Sequence, residues 1–318
     1  LRNVRRYPDK PAMIFPERDK IWTYTELNAD SNSLANTLAA DGVGKGDVIM
    51  LQLLNCPQFV FSYISSHKLR AVNCPVNFRL SPGELAFNLQ DSKPKVFLFE
   101  EAHRKDVLEA VEIAGFRPKR LIVIDGESSG EVISYSDYVR GGSPADPAVE
   151  GYNIYDETVR LYTSGTTGKP KAVPLTSINE VLSAHDVMMH FPMSYKDITM
   201  NTTPWFHRGG LHCAGPCPTF YAGATLVIMS NFDAKMTPEL EDKVAASGYS
   251  LREIHTIASL IEKEAGSDDE RGIMASIIYN RLNAGMPLQL DSTINYIKGT
   301  STFDLTTEDT EIDDPYNT

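Results

Sequence analysis

The chain has 318 residues, enough for two domains at roughly 150 residues each, and 42% of them are apolar, enough for at least one sizeable core. Thirty Lys and Arg against 42 Asp and Glu give a net charge of −12. That balance argues against phosphate backbones and anionic lipid heads as partners, so no nucleic acid is expected. No apolar run reaches the eighteen or so residues that a membrane helix needs, and Leu1-Arg2-Asn3-Val4 lacks the apolar core of a secretory signal. No membrane segment is expected, and a chain that starts at Leu reads as a fragment.

In chain order, Thr23 and Glu26 make a capping box, after which Leu27, Leu34, Ala35 and Leu38 lie on one helical stripe that ends at Gly42. Strands are predicted at 48–54, 96–99, 121–124, 159–162 and 225–229, with helices at 58–69, 104–114 and 179–190 between them. Residues 126–149 read as a long loop. Strands alternating with helices imply an α/β layered fold with a mostly parallel sheet and flanking helices.

Cys56, Cys74, Cys213 and Cys217 are too few and too scattered for a disulfide framework, which fits a reducing compartment. His212 adjoins the last pair, but Gly215, Pro216 and Pro218 make that segment a stiff irregular loop with no second ligand pair nearby, so no metal is expected there. Residues 236–318 carry six basic and sixteen acidic side chains, net −10, which leaves −2 for residues 1–235. Helical spacing dominates after Met236, beginning at Thr237-Pro238-Glu239-Leu240, so a smaller, mainly helical α+β segment is expected to follow the first domain.

The sharpest motif is Tyr162-Thr163-Ser164-Gly165-Thr166-Thr167-Gly168-Lys169-Pro170-Lys171, directly after a predicted strand. Glycines let backbone N–H groups turn inward as an anion-binding nest, hydroxyls add donors, and lysines balance phosphate charge. The same residue types also make ordinary turns. A Walker A loop is excluded, because only Thr166 and Thr167 separate Gly165 from Gly168.

Thr163 to Lys171 closely resembles the signature loop of the adenylate-forming family, which includes acyl-CoA synthetases, aryl-CoA ligases and luciferases. Trp22-Thr23-Tyr24-Thr25-Glu26-Leu27, the stretch from Lys68 to Leu85, Pro204-Trp205-Phe206-His207-Arg208-Gly209-Gly210 and Tyr221-Ala222-Gly223-Ala224-Thr225 resemble further family motifs in the family's order. The resemblance covers residues 1–233 and implies an ATP-dependent acid–thiol ligase. A carboxylate attacks the α-phosphorus of ATP, and coenzyme A intercepts the acyl adenylate, with Mg2+ assisting. It also implies that Thr163, Ser164, Gly165, Thr166, Thr167, Gly168, Lys169 and Lys171 form the phosphate site, with Lys171 catalytic, and that His207 lines the carboxylate pocket. Such a ligase is expected in the cytoplasm. Against the family pattern, Arg70 stands where a Gly is usual. Beyond residue 233 the sequence has no Tyr-Gly-x-Thr-Glu segment for adenine and magnesium, no Thr-Gly-Asp segment for ribose and no later catalytic Lys. The resemblance therefore implies an incomplete ligase with weak ATP binding.

In the second part, Ile254, Ile257, Ala258, Ile261 and Ala265 form an apolar stripe that Glu264 borders. A carboxyl at such an edge suits a general acid. Ala258 to Ala265, Glu270-Arg271, Tyr279-Asn280-Arg281-Leu282, Gln289, Asp291 and Pro315-Tyr316-Asn317-Thr318 resemble the catalytic domain of YceG-like endolytic murein transglycosylases, whose members are membrane-anchored and extracytoplasmic. That resemblance implies cleavage of glycan strands without water, with Glu264 as acid/base and Gln289, Asp291, Tyr316 and Asn317 as sugar-binding or supporting residues. The whole reads as a hybrid of two truncated families, with domains at 1–233 and 234–318. A catalytically silent fusion is the third reading, and core surface left uncovered in each part predicts self-association.

Overall fold

The computed structural model describes residues 2–163, 170–213, 215–230, 248, 251–264, 270–298 and 306. Ser164 to Lys169, Tyr316 and Asn317 lie outside the described residues, as do the predicted helix start at Thr237 and residue Ala265. The chain divides into two compact units, Leu1–Phe232 and Asp233–Thr318.

The strands of the first unit are β1 (Pro11–Phe15), β2 (Lys20–Thr23), β3 (Val48–Gln52), β4 (Val72–Pro75), β5 (Val96–Glu100), β6 (Arg120–Ile124), β7 (Val132–Ser134), β8 (Glu157–Thr163), β9 (Lys171–Thr176), β10 (Ile198–Asn201) and β11 (Thr225–Ile228). The α-helices are α1 (Arg2–Arg6), α2 (Tyr24–Ala40), α3 (Pro57–Leu69), α4 (Pro82–Ser92), α5 (Arg104–Ala114), α6 (Tyr135–Tyr138), α7 (Ser177–His190), α8 (Arg208–His212) and α9 (Pro216–Ala222). They build two sheets, a seven-stranded one in the order β7-β6-β5-β3-β4-β8-β9 and a four-stranded one in the order β10-β11-β1-β2. All neighbours run parallel except β9 against β8 and β2 against β1.

The larger sheet is covered on both faces, as a parallel sheet with crossover helices must be. On β3, Val48 and Met50 point into one core with Leu85 and Leu89 of α4 and Val107 and Val111 of α5. Ile49 and Leu51 point into the other, with Leu34 and Leu38 of α2 and Phe59 and Val60 of α3. The two-residue period repeats on β5 and β6: Phe97, Phe99, Leu121 and Val123 face one way, and Val96, Leu98, Ile122 and Ile124 the other.

The capping box at α2 is present: Thr23 accepts from the Glu26 N–H while the Glu26 carboxylate accepts from the Thr23 N–H at 2.8 Å. A second box, Ser81 with Glu84, starts α4. Two expectations fail. The stretch 126–149 contains β7 and α6, because Ser134 accepts from the Asp137 N–H and starts a short turn of helix. The segment around Cys213 and Cys217 forms two short helices with His212 and Cys217 buried, because Pro216 occupies a first-turn position where its missing N–H costs nothing.

Arg70 finds its partners at the C-terminus of α3. Its φ of 58° is left-handed, the conformation that favours glycine after a helix. Its guanidinium donates to Asp156 at 2.7 Å and to the Glu150 carbonyl at 2.9 Å. That guanidinium first, and then Lys45, hold the Asp156 carboxyl down at about 2.

In the second unit the described helices are Leu251–Glu264, Arg271–Asn283 and Asp291–Lys298. Ile257, Ile278 and Leu290 form its buried cluster, with Leu260, Ile261, Tyr279 and Leu288 packed against it. The expected stripe is only partly seen. Ile257 is buried and Ile261 half-buried, but Ala258 is exposed, because Leu260 takes the flank of the buried face instead. No helix among the described residues is long and apolar enough to cross a membrane.

Candidate active site at the carboxyl edge of the large sheet

In open α/β sheets, ligands bind outside the carboxyl ends of the strands. Three features of the first unit converge on that edge. The first is the hairpin of β8 and β9. Thr163 and Lys171 are paired across its mouth, both exposed, and enclose the glycine-rich loop between them. The strand below is anchored by the Tyr162 hydroxyl, which donates to Asp91 at 2.7 Å.

The second feature follows β3. Leu54 donates its N–H to the Glu100 carboxylate at 2.9 Å, and burial pushes that carboxyl above its ordinary value. The next residue, Asn55, is buried and bridges 150 residues of sequence: its amide donates to the Thr203 carbonyl at 3.1 Å, and its carbonyl accepts the Trp205 N–H at 3.0 Å.

The third feature is the Pro204–His207 turn that Asn55 holds. Trp205 is buried edge-on to Phe59 at 5.3 Å, Phe206 meets Phe78 of the β4 end at 5.6 Å, and His207 tilts against Phe206 at 4.0 Å. His207 is exposed at the N-cap of α8, and partial burial of its ring pushes its pKa down, so it is a neutral imidazole at pH 7. Gly210 is required here, since a Cβ would stand 2.1 Å from the Pro204 carbonyl oxygen.

The expected residues therefore separate as follows. Thr163, Lys171 and His207 are brought to one edge of one sheet; the rest of the loop falls outside the described residues. Asn55 went unrecognised in the sequence, although a lone polar residue just past an apolar strand is the signal that could have found it.

In the second unit, Glu264 is half-buried and its Oε1 accepts the Ser292 N–H at 2.8 Å, which brings it beside Asp291. Arg281 donates to the Pro287 carbonyl and to Gln289 Oε1, each at 3.3 Å, and pins the stretch leading to that helix. Gln289 and Asp291 are both exposed, and Gln289 has a left-handed φ of 53°, sparsely populated for a residue with a Cβ.

The first unit is a two-sheet α/β fold of the adenylate-forming type, with the β8–β9 hairpin mouth, Thr163 paired with Lys171, at the carboxyl edge of its larger sheet. The chain belongs to the AMP-binding enzyme family, whose model matches residues 1–248. It is 29% identical over 283 residues to the crotonobetaine/carnitine–CoA ligase of Salmonella typhimurium, covering 87% of this chain and 54% of that protein. The chain thus spans about half the length of the curated relatives it matches. The N-terminal domain of FACL13 from Mycobacterium tuberculosis superposes with a TM-score of 0.63 at 28% identity, covering 75% of this chain and 58% of that one. A benzoate CoA ligase from Burkholderia xenovorans, at 23% identity and TM-score 0.62, covers 74% and 45% and shows the shared fold. A second family model, the YceG-like family, matches residues 224–318.

Proposed function

We propose that residues 1–233 are the carboxylate- and phosphate-binding part of an ATP-dependent acid–thiol ligase that adenylates a carboxylate and passes the acyl group to coenzyme A, a cytoplasmic chemistry. The observation that carries this reading is the hairpin mouth, with Thr163 opposite Lys171 at the carboxyl edge of a parallel sheet. Donors fixed where charge builds on departing pyrophosphate lower the barrier more than they tighten ground-state binding. Thr163, Ser164, Thr166, Thr167, Lys169 and Lys171 supply those donors, and Gly165 and Gly168 supply the turn. His207, neutral and tilted against Phe206, lines the carboxylate side and accepts or donates a hydrogen bond without adding charge. Mg2+, when bound, would supply further positive charge against the phosphates beside Lys169 and Lys171.

The test is ATP binding by calorimetry beside pyrophosphate exchange into ATP with a panel of carboxylates. In Lys171→Ala the affinity falls at least about tenfold, or ~1.4 kcal/mol, and any exchange disappears. Equal affinity in the variant would sink the assignment of the loop.

For residues 234–318 a second reading rests on Glu264, whose carboxylate accepts the Ser292 N–H next to Asp291. In it, the carboxyl protonates a glycosidic oxygen of peptidoglycan and then takes the proton of the sugar's own hydroxyl, giving a 1,6-anhydro end outside the membrane. Gln289, Asp291, Tyr316 and Asn317 hold the glycan. Anhydro-muropeptide release that vanishes in Glu264→Gln supports it; release that persists in the variant refutes it. Loss of both activities in a folded chain leaves the silent-fusion reading.

A further inference from the structure

α7 begins at the amino edge of the seven-stranded sheet, since β9 runs back from the hairpin mouth to pair Thr176 with Glu157. Its first turn carries Glu180 into the protein, where the residue is 5% exposed. Glu180 Oε1 meets His212 Nε2, Glu180 Oε2 accepts the Tyr63 hydroxyl, and His67 Nε2 stands 3.8 Å from that same oxygen. The Cys217 thiol donates to the Glu180 backbone carbonyl at 3.5 Å. One donor atom from each of Glu180, His212 and Cys217 lies within 4.8 Å of the others, and all three residues are buried.

Two valences are left over. His212 is 1% exposed, yet its Nδ1 has no hydrogen-bond partner. His67 Nδ1 donates to the Tyr63 carbonyl at 2.7 Å, which fixes the ring with Nε2 directed at Glu180. A metal-binding imidazole is oriented by such a bond from its other nitrogen to a backbone carbonyl. A cavity of about 400 Å³, lined among others by Tyr63, His67, Glu180, Cys217 and Tyr221, opens beside the cluster.

A carboxylate, imidazoles and a thiol gathered in one buried spot are costly as separate polar groups. Shared by a cation, they compensate one another. We propose that Glu180, His212 and Cys217 form a binding site for a borderline-soft divalent metal of the zinc type, with the fourth position open to the cavity beside His67.

The donor set of one oxygen, one nitrogen and one sulfur matches zinc chemistry. Donors at zinc's ordinary distances stand roughly 3.3–3.8 Å apart in a tetrahedron, so the widest separation closes by up to about 1–1.5 Å while the hydrogen-bonded Glu180–His212 pair opens. The Cys217 thiol carries a proton where it donates to the Glu180 carbonyl. Binding therefore exchanges the thiol proton for the metal: the S–H bond breaks, a metal–thiolate bond forms, and one proton goes to solvent. Affinity rises with pH accordingly.

The decisive experiment titrates Co2+ into the whole, chelator-treated and reduced chain and follows the thiolate-to-cobalt charge-transfer absorption together with proton release. Expected is saturation at one equivalent, displacement by zinc, persistence in Cys213→Ser and loss in Cys217→Ser. Tyr63→Phe, which frees the ligating carboxylate from its hydroxyl partner, weakens binding about 10–100-fold. No thiolate band in the unaltered chain overturns the proposal. So does a band that disappears in Cys213→Ser, since Cys213 is the exposed thiol. Both readings hold even where Cys217→Ser does not fold.

Discussion

Asn55→Ala tests whether the turn that carries His207 is held by one side chain. The change removes the donor to Thr203 and the acceptor for Trp205. Thr203 is exposed, so water replaces its lost bond at little cost. Trp205 is 1% exposed, so its N–H stays buried without a partner. An orphaned buried donor costs about 1–3 kcal/mol. Taking ~2 kcal/mol, the folded-to-unfolded ratio falls by about thirtyfold, out of a total stability on the order of 5–15 kcal/mol. Urea unfolding followed by fluorescence reads this directly, since Trp22 and Trp205 are the two tryptophans of the chain. Amide exchange at Trp205 should accelerate by at least the same factor, because local opening of the turn adds to global unfolding. A loss below about 0.5 kcal/mol with unchanged Trp205 exchange would refute the reasoning, and the turn would then be held by its aromatic contacts alone.

Asp156, held at about 2 by Arg70 and Lys45, stabilises the fold above its ordinary value near 3.9, and that contribution is lost as pH falls towards 2. Asp156→Asn should flatten the dependence of urea midpoint on pH between about 4 and 2; an unchanged slope counts against the ion pair. Thr23→Ala and Ser81→Ala each remove a capping box and should cost about 1 kcal/mol apiece, additively, in thermal or urea unfolding. β10 is an edge of the four-stranded sheet, and Ile198 and Met200 on it are 66% and 52% exposed. Ile198→Lys should therefore shift sedimentation towards monomer; a chain already monomeric at high concentration would remove the case for self-association.

The fold was legible where one residue type settles one element. Leu27, Leu34, Ala35 and Leu38 are all buried on α2, as the stripe requires, and the runs around Val48, Val96 and Leu121 are strands because β-branched and aromatic residues fill both faces. Less visible were elements whose cause is tertiary. β7 and β4 are three and four residues long and exist because a neighbouring strand supplies their partners. The second sheet joins β1 and β2 to β10 and β11, some 190 residues later, and no local pattern announces such a pairing. The cluster at Glu180 was missed for the same reason. His212 and Cys217 were visible as ligand types, but the carboxylate that meets them comes from a helix about thirty residues earlier.

Arg70 shows how a departure from a family pattern can be read once the backbone is known. Its position asks for glycine because the chain leaves α3 through the left-handed region. A close neighbour would be the other reason, but the space beside it holds its own partners, Asp156 and Glu150. The strain of a non-glycine residue there is on the order of 1 kcal/mol, and a two-bond guanidinium contact offsets a penalty of that size. Arg70→Gly should accordingly leave stability within about 1 kcal/mol of the parent at pH 7. The same variant raises the Asp156 pKa towards the ordinary range, because its nearest cation is gone while Lys45 at 3.2 Å and the Asn153 N–H at 3.3 Å remain. A large loss of stability with Asp156 still titrating near 2 would show that neither the backbone conformation nor the ion pair governs this corner.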